Sequence, residues 1–443
     1  MAPGARFRGD GAPPRELPAR LASAGVAPSL GRMEALDPGT AAGLDPPARD
    51  ATGTEAAVGI DVRELHASTA LVQLAPAWDK LRAEIVARGG TAGPFLRREW
   101  IAVQAQAIAP RGYRLLAAWQ GGELRGLLPL VAESRRLSGA PARILRSLSD
   151  EHSQRFDALV AGDDVARALI AHLLRDRSWD VIELRDAVTE ARTGVAALAG
   201  AARAAGCAVE LWPSLLSPYL PLPATTAALE DLGTAKFRAN LKRRKRKLER
   251  EVGSVRYQCL SRGAGPEELA AAIEDALRLE AAGWKGAAGT AIACDEALVH
   301  RYRTLAATFA RRGELALYFL VLNGERRAFK LGIVDDGVCY LFKTGYDPAL
   351  SSYGPGYLLV EAMLHDLIGR GVHTLDFLGD DAPWKREWTD LTRAHAWHHL
   401  FRDSWRGRAL RAWKYVALPA LRRVSPARRR GPADQGTTRD PGT

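Results

Sequence analysis

The 443-residue sequence predicts an α/β protein of two related lobes, each a mixed twisted sheet with helices on both faces. Three observations carry that prediction. Windows with apolar residues at helical spacing alternate with short apolar runs of strand length along most of the chain. Their order repeats: helices, a hairpin, a strand, a helix and a strand occur before Pro213 and, in outline, again after Leu229. Finally, Gly354-Pro355-Gly356 stands where a strand hands over to a helix, and two glycines around a proline suit a tight turn into a first helical turn.

Taken in order, residues 1–55 are rich in Ala, Pro, Gly and Arg without periodicity, and read as a disordered extension. The first lobe is expected over residues 56–225. Helical patterns cover Leu74–Arg88 and Arg97–Ile108. Tyr113–Trp119 and Leu124–Val131 flank Gly121-Gly122 as a hairpin. A strand over Phe156–Val160, a helix over Val165–Arg175, a strand over Trp179–Leu184, a helix over Glu190–Ala205 and a strand over Cys207–Trp212 follow. The proline-punctuated run Pro213–Pro223 reads as a linker.

The second lobe is expected over residues 226–403. Helices at Leu229–Glu251, Pro266–Ala282 and Glu296–Arg311 precede a hairpin, Leu315–Leu322 and Ala328–Val334, turned by Asn323-Gly324. Val338–Phe342 is a strand. Lys343–Pro348 and Ser351–Gly356 form the turn, and Leu358, Leu359, Met363, Leu364, Leu367 and Ile368 form the helix. Leu375–Leu378 is the next strand. Residues 404–424 form an amphipathic helix, with Trp405, Ala409, Leu410, Trp413, Val416, Ala417 and Leu421 as its stripe. The expectation is docking of that stripe on the second lobe. The alternative is a basic helix lying peripherally on an anionic membrane. Residues 425–443 read as a disordered tail.

Net charge is +11, and basic residues gather in Lys236–Arg250 and Arg402–Arg430, which calls for anionic partners. The four cysteines lack metal or redox spacing, so reduced thiols, a cytoplasmic location reaching at most the inner face of the membrane, and no metal are expected. No apolar run has transmembrane length, and no secretory signal is expected.

Several residues carry chemistry. A helix start at Gly354–Gly356 offers unpaired amides to a phosphate. On the helix from Lys236, Arg244 shares a sector with Phe237, Leu241, Leu248 and Val252, so it must find a carboxylate or phosphate; the interlobe cleft is the expected place. Glu280 ends an apolar helix beside Trp284 and Lys285. Asp376 lies in an apolar strand just before the loop that leads to Lys385. Glu280 and Asp376 are both candidates for a general base, and Tyr346 or Tyr340 for the proton donor to a leaving thiolate.

The combination of Phe237–Arg244, Glu280 with Gly283-Trp284-Lys285-Gly286 and Gly289-Thr290-Ala291, Lys343 with Tyr346-Asp347, and Gly354-Pro355-Gly356 before Leu358-Leu359 resembles the BioF-like acetyltransferases of the GNAT superfamily. That group includes proteins linked to cellulose biosynthesis, and the resemblance runs from Val58 to His399. It implies tandem GNAT-like lobes, as in the related FemAB-type transferases. It also implies acetyl-CoA or another acyl-CoA as co-substrate, and an amine or hydroxyl acceptor, a small molecule or a saccharide, in envelope or exopolysaccharide synthesis. The implied catalytic set is Glu280, Asp376, Tyr346 and Lys385. Lys343, Tyr353, Gly354, Gly356 and Tyr357 would hold the cofactor, and Asn240, Arg244, Trp284 and Lys285 the acceptor. The family turn usually begins with serine, where this chain has Gly354. Two alternatives stand beside this reading: an aminoacyl transferase using aminoacyl-tRNA, the one case in which nucleic acid is a partner, and a non-catalytic regulator of polysaccharide synthesis.

Overall fold

A computed structural model describes residues 59–424, apart from 67, 91–92, 110–111, 190–191, 261–263 and 284–288. The expected extension, the expected tail, Trp284 and Lys285 lie outside the described residues. The first part of the chain runs β1 (Asp61–Leu65), α1 (Ser68–Gln73), α2 (Ala75–Ala87), α3 (Arg98–Ile108), β2 (Arg114–Gln120), β3 (Glu123–Leu137), β4 (Ala140–Ser147), β5 (Leu159–Val160), α4 (Asp163–Arg175), β6 (Val181–Val188), α5 (Gly194–Ala204) and β7 (Ala208–Pro221). The second runs α6 (Ala235–Glu251), β8 (Val255–Leu260), α7 (Pro266–Ala281), α8 (Glu296–Arg311), β9 (Leu315–Leu322), β10 (Glu325–Asp335), β11 (Val338–Tyr346), α9 (Pro355–Gly369), β12 (Thr374–Asp376), α10 (Pro383–Arg386) and β13 (Thr392–Phe401). Helix α11 (Trp405–Ala412) continues through a π-helical turn, Trp413–Ala417, into α12 (Leu418–Val424).

One topology occurs twice. In the first lobe β1, β2, β3 and β4 are successively antiparallel, and β6 returns parallel to β4 after helix α4. In the second, β8, β9, β10 and β11 are antiparallel, and β12 returns parallel to β11 after α9. The two halves join into a continuous sheet in the order β1-β2-β3-β4-β6-β13-β7-β12-β11-β10-β9-β8. The join is an exchange. Strand β13, late in the chain, pairs with β6 along Val181–Val188, and the end of β7 pairs with β12.

Hence Pro213–Pro223 is not a linker: most of it is β7, the strand that stitches the lobes. Residues Ala208–Ser217 pair with β13 along one edge, with a bulge next to Pro213. Prolines at that open edge or at a bulge cost no central ladder bond. The extended run also differs at Lys343–Tyr346, which belongs to β11 rather than to the turn after it. Strands β4, β8 and β13 were not expected from the sequence. In β4 the cause is charge: Arg143 and Arg146 sit in the strand because Asp180 and Glu133 meet them at 2.7 and 2.6 Å.

Helices cover both faces of the second lobe. Residues of α7 and α8 pack with Leu317, Phe319, Phe329 and Ile333 on one face, in a core shared with α2 and α3 of the first lobe. On the other face α6 and α9 bury Phe237, Leu241, Leu248, Leu358, Met363 and Leu364 against Tyr318, Leu320 and Leu341. Buried ion pairs fasten the lobes: Arg82 and Arg97 both reach the fully buried Asp335, and Arg301 reaches Asp150 at 2.6 Å.

The C-terminal helix departs from expectation as well. It docks on the first lobe, where Leu410 and Tyr415 join Leu137, Ala142, Ile144 and Phe401. Most of the anticipated stripe is not what docks, since Trp405, Val416 and Leu421 face solvent.

Candidate active site at the splay of the second lobe

Strands β11 and β12 pair only from Val338 to Tyr340 opposite Thr374 to Asp376. From Leu341 to Tyr346, β11 diverges from β12 while remaining paired to β10. Among the described residues no strand pairs that edge of the half-buried segment, which suits a ligand. Side chains alternate along it. Lys343 and Gly345 lie opposite Leu331 and Phe329, on the face toward α7 and α8. Thr344 and Tyr346 lie opposite Lys330 and Ala328, toward α6 and α9.

On the α6/α9 side, Asp347 caps a 3₁₀ turn, Pro348–Tyr353, by accepting from the Ala349 amide at 3.0 Å. Gly354 then takes φ +62°, and a Cβ there would come 2.9 Å from an Arg244 Nη1. Both the left-handed backbone and the packed guanidinium demand glycine. Pro355 opens α9 without an N–H. The amides of Tyr357 and Leu358 bond back to the Gly354 carbonyl, at 3.1 and 3.4 Å, so the Gly356 amide leads the helix. No atom lies within 4 Å of where a Gly356 Cβ would stand. Arg244 is therefore at the start of α9 rather than in the interlobe cleft. Its guanidinium lies 4.7 Å over the Tyr357 ring, and no carboxylate ion-pairs with it among the described residues. Half-buried Asn240 stands one turn earlier on the same helix and accepts from Arg243 at 3.3 Å. Tyr357 packs edge-on to Phe237, so its ring is core, and Tyr353 donates to Glu251 at 3.2 Å beneath Lys247. A helix start, a glycine amide with no side chain over it and an arginine without an ion-pair partner among the described residues form a fitting cradle for phosphate.

On the opposite side, α7 passes so close that a Cβ on Gly345 would come 3.1 Å from the Glu280 Cα and N. Glu280 is buried, and its Oε2 accepts from the Ile292 amide at 2.9 Å. The Lys343 ammonium lies 5.5 Å from the Tyr302 ring centroid, and Tyr302 and the His152 Nδ1 share a 3.1 Å hydrogen bond. Burial, and then Lys343, push the His152 imidazole down to about 4, so it is neutral at pH 7. His152 comes from the first lobe, which thus closes one side of the splay. Toward α6, buried Lys330 donates to Thr344 at 3.1 Å and lies 4.7 Å from the Trp384 ring. Tyr346 is half-buried at the end of the strand.

Three expected site residues are committed to other contacts. Asp376 is fully buried between Arg155 of the first lobe at 2.7 Å and Arg393 at 2.9 Å. Burial alone would raise its carboxyl, but the two guanidiniums outweigh that and hold it below the ordinary range. A carboxylate so committed is an interlobe ion pair, not a proton acceptor. The Lys385 ammonium donates to the backbone carbonyls of Leu378 and Asp380, tying the loop after β12, and burial brings it down to about 8. Tyr340 is core, edge-on to Phe95. Sequence reasoning missed His152, Tyr302 and Lys330. A signal for Lys330 was present, a lone lysine inside the apolar run Ala328–Ile333.

The first lobe repeats the topology but not the cradle. Its helix α4 begins Asp163-Asp164, which puts two carboxylates where the second lobe has Gly354–Gly356 and Arg244. Carboxylates at that position repel a phosphate.

Residues 235–386 match the acetyltransferase (GNAT) domain. This GNAT domain spans α6 to α10, and so contains the whole cradle and the splayed strand. No curated protein matches the chain. Among solved structures, the chain is similar to FemX, at 11% identity over 79% of this chain and 99% of that one, with a TM-score of 0.49. A tandem GNAT protein from the clavulanic acid biosynthesis pathway gives 14% identity, 78% and 100% coverage and a TM-score of 0.44. L-PGS from Bacillus licheniformis gives 10% identity, 76% and 95% coverage and a TM-score of 0.44. The matched domain and the recurrence of its strand topology in the first half make the architecture one of tandem GNAT-like lobes.

Proposed function

We propose that the GNAT domain transfers an acyl group from acetyl-CoA or another acyl-CoA to an amine or hydroxyl on a small molecule or saccharide. The observation that carries this reading is the splayed β11 edge beside the Arg244–Gly356 cradle. Arg244 and the Gly356 amide would take the cofactor's phosphates, and the open edge of β11 would hydrogen-bond its amide-bearing arm. An alkyl ammonium at pH 7 must first lose a proton, at about 4.6 kcal/mol for a pKa near 10.4. Glu280, beside Gly345, would accept it through water. Nitrogen attack forms the new C–N bond and the C–S bond breaks; Tyr346 would protonate the leaving thiolate and be reprotonated, through water, by the proton the nitrogen loses. The chain would be a BioF-like member working in the cytoplasm on envelope or exopolysaccharide precursors.

The direct test is a thermal-shift screen with CoA and acyl-CoAs, followed by turnover with amine acceptors. No shift with any of them would reject the reading. Arg244→Ala is expected to weaken CoA binding about ten- to a hundredfold, the worth of a charge-assisted bond. Arg246→Ala, on the exposed side of the same helix, should change it less than about threefold. Equal effects would make α6 merely a basic surface.

The two glycines separate binding from folding. Gly356→Val is expected to leave the melting temperature unchanged, since its side chain meets open space, yet to cut CoA affinity at least about tenfold by covering the leading amide. Gly354→Val should instead lose about 1–3 kcal/mol of stability through the left-handed backbone and displace Arg244 as well. Calorimetric titration of both variants checks this, and undiminished affinity in Gly356→Val would remove the helix start from the site.

A second reading has one observation in its favour. Lys242, Arg243, Arg246 and Arg250 share the exposed side of α6, as a polyanion-binding surface would require. Aminoacyl-tRNA as donor predicts tRNA binding that falls steeply with salt, and salt-insensitive or absent binding would reject it.

A further inference from the structure

Helix α11–α12 is held to the protein by its polar side. Arg406 meets Asp180 at 3.3 Å, Arg411 meets Glu210 at 2.6 Å, the Trp413 Nε1 donates to the Ser138 carbonyl at 2.9 Å, and Tyr415 and His399 share a 3.0 Å hydrogen bond. Leu410 is its one buried large apolar side chain among the described residues, and Gly407 lets the helix lie on the Arg402 backbone, where a Cβ would clash at 2.1 Å. The apolar side looks outward. Trp405 is 75% exposed, Val416 67% and Leu421 55%. The patch continues onto the open edge of β7, where exposed Trp212 lies beside Tyr415, with the Lys414 ammonium 4.8 Å from its ring. A soluble surface rarely leaves such a stripe uncovered.

The charge of the sequence that follows selects the occupant. Arg406 and Arg411 are committed to Asp180 and Glu210, but Arg422, Arg423, Arg428, Arg429 and Arg430 come next along the chain with no acidic residue among them. A second copy of the chain, paired about a two-fold axis, would bring this cationic rim against itself. An anionic bilayer meets both features at once: its acyl boundary takes the stripe and its phosphates the rim. No helix among the described residues is long and apolar enough to cross a membrane. We propose that the face formed by α11–α12 and β7 seats the protein on an anionic phospholipid surface. Trp405, Val416 and Leu421 enter the headgroup boundary, and the helix stays docked on the first lobe.

The experiment is co-sedimentation of the full chain with vesicles of phosphatidylglycerol and phosphatidylcholine, and with phosphatidylcholine alone. The mixed vesicles should bind it, with a blue shift in tryptophan emission and weakening as salt rises. Phosphatidylcholine alone should bind at least about tenfold less. The variant Trp405→Ser, Val416→Ser and Leu421→Ser removes only exposed side chains, so it should melt as the parent does and partition at least about tenfold less. Absent binding to mixed vesicles, or equal binding by the variant, overturns the proposal. So does a dimer in solution that the variant dissolves without any effect on vesicle binding. None of these outcomes depends on whether the GNAT domain turns over acyl-CoA.

Discussion

Asp376→Ala is expected to destabilise the protein by about 3–5 kcal/mol, as for one partner removed from a buried charge cluster. The carboxylate is the shared anion between Arg155 of the loop before β5 and Arg393 of the exchanged strand β13. Without it the half-buried guanidiniums of Arg155 and Arg393 lose the buried carboxylate they share, at the seam where the lobes meet. The effect should appear as a lower urea midpoint and a weaker coupling of the lobes. The pH dependence follows from the depressed carboxyl. Its contribution is complete above the unfolded value of about 3.9 and is lost as pH falls through the lower folded value. The Ala variant should therefore lack that part of the acid sensitivity of the parent. A variant that melts like the parent but turns over acceptor a hundredfold more slowly would instead reinstate Asp376 as a catalytic group.

Legibility followed locality. The hairpins β2–β3 and β9–β10 were readable because Gly121-Gly122 and Asn323-Gly324 are the residues that tolerate positive φ at both turn positions, and all four adopt it. Helix α8 was readable because Asp295 caps it and its apolar spacing is regular. The singular character of Arg244 was visible on a helical wheel, for Phe237, Leu241 and Leu248 are all buried and Arg244 is in their sector. Its destination was not visible, because the cradle at Gly354 lies far along the chain.

The illegible parts are those decided by distant partners. Strand β13 carries three histidines and an arginine, a pattern that does not alternate cleanly, and it exists because β6 and β7 flank it. Asp376 looked like a strand-end catalytic carboxylate; what makes it structural is Arg155, 221 positions earlier in the sequence. The same holds for His152, which reaches the splay only because the first lobe's loop crosses the seam to Tyr302. Local pattern named the groups with chemistry, and tertiary placement decided which of them were committed to holding the lobes together.

Glu280→Gln is expected to lower kcat about 10²- to 10⁴-fold with CoA affinity unchanged, if Glu280 accepts the acceptor's proton. Of the two carboxylates weighed for that role it is the one not held between guanidiniums, and it lies next to Gly345 on the face opposite the phosphate cradle. That separation suits transfer, since donor and acceptor then approach the open edge of β11 from opposite sides. Glu280 also accepts from the Ile292 amide, which holds the turn before α8, so a purely structural role must be told apart. Glutamine keeps a carbonyl oxygen for that amide but cannot take a proton. A structural Glu280 thus predicts near-normal kcat in the Gln variant and a lower melting temperature in Glu280→Ala. A catalytic Glu280 predicts a Gln variant that folds normally, binds CoA normally and regains rate as pH rises and the free amine fraction grows. A pH-independent kcat in the Gln variant, close to that of the parent, would remove Glu280 from the mechanism.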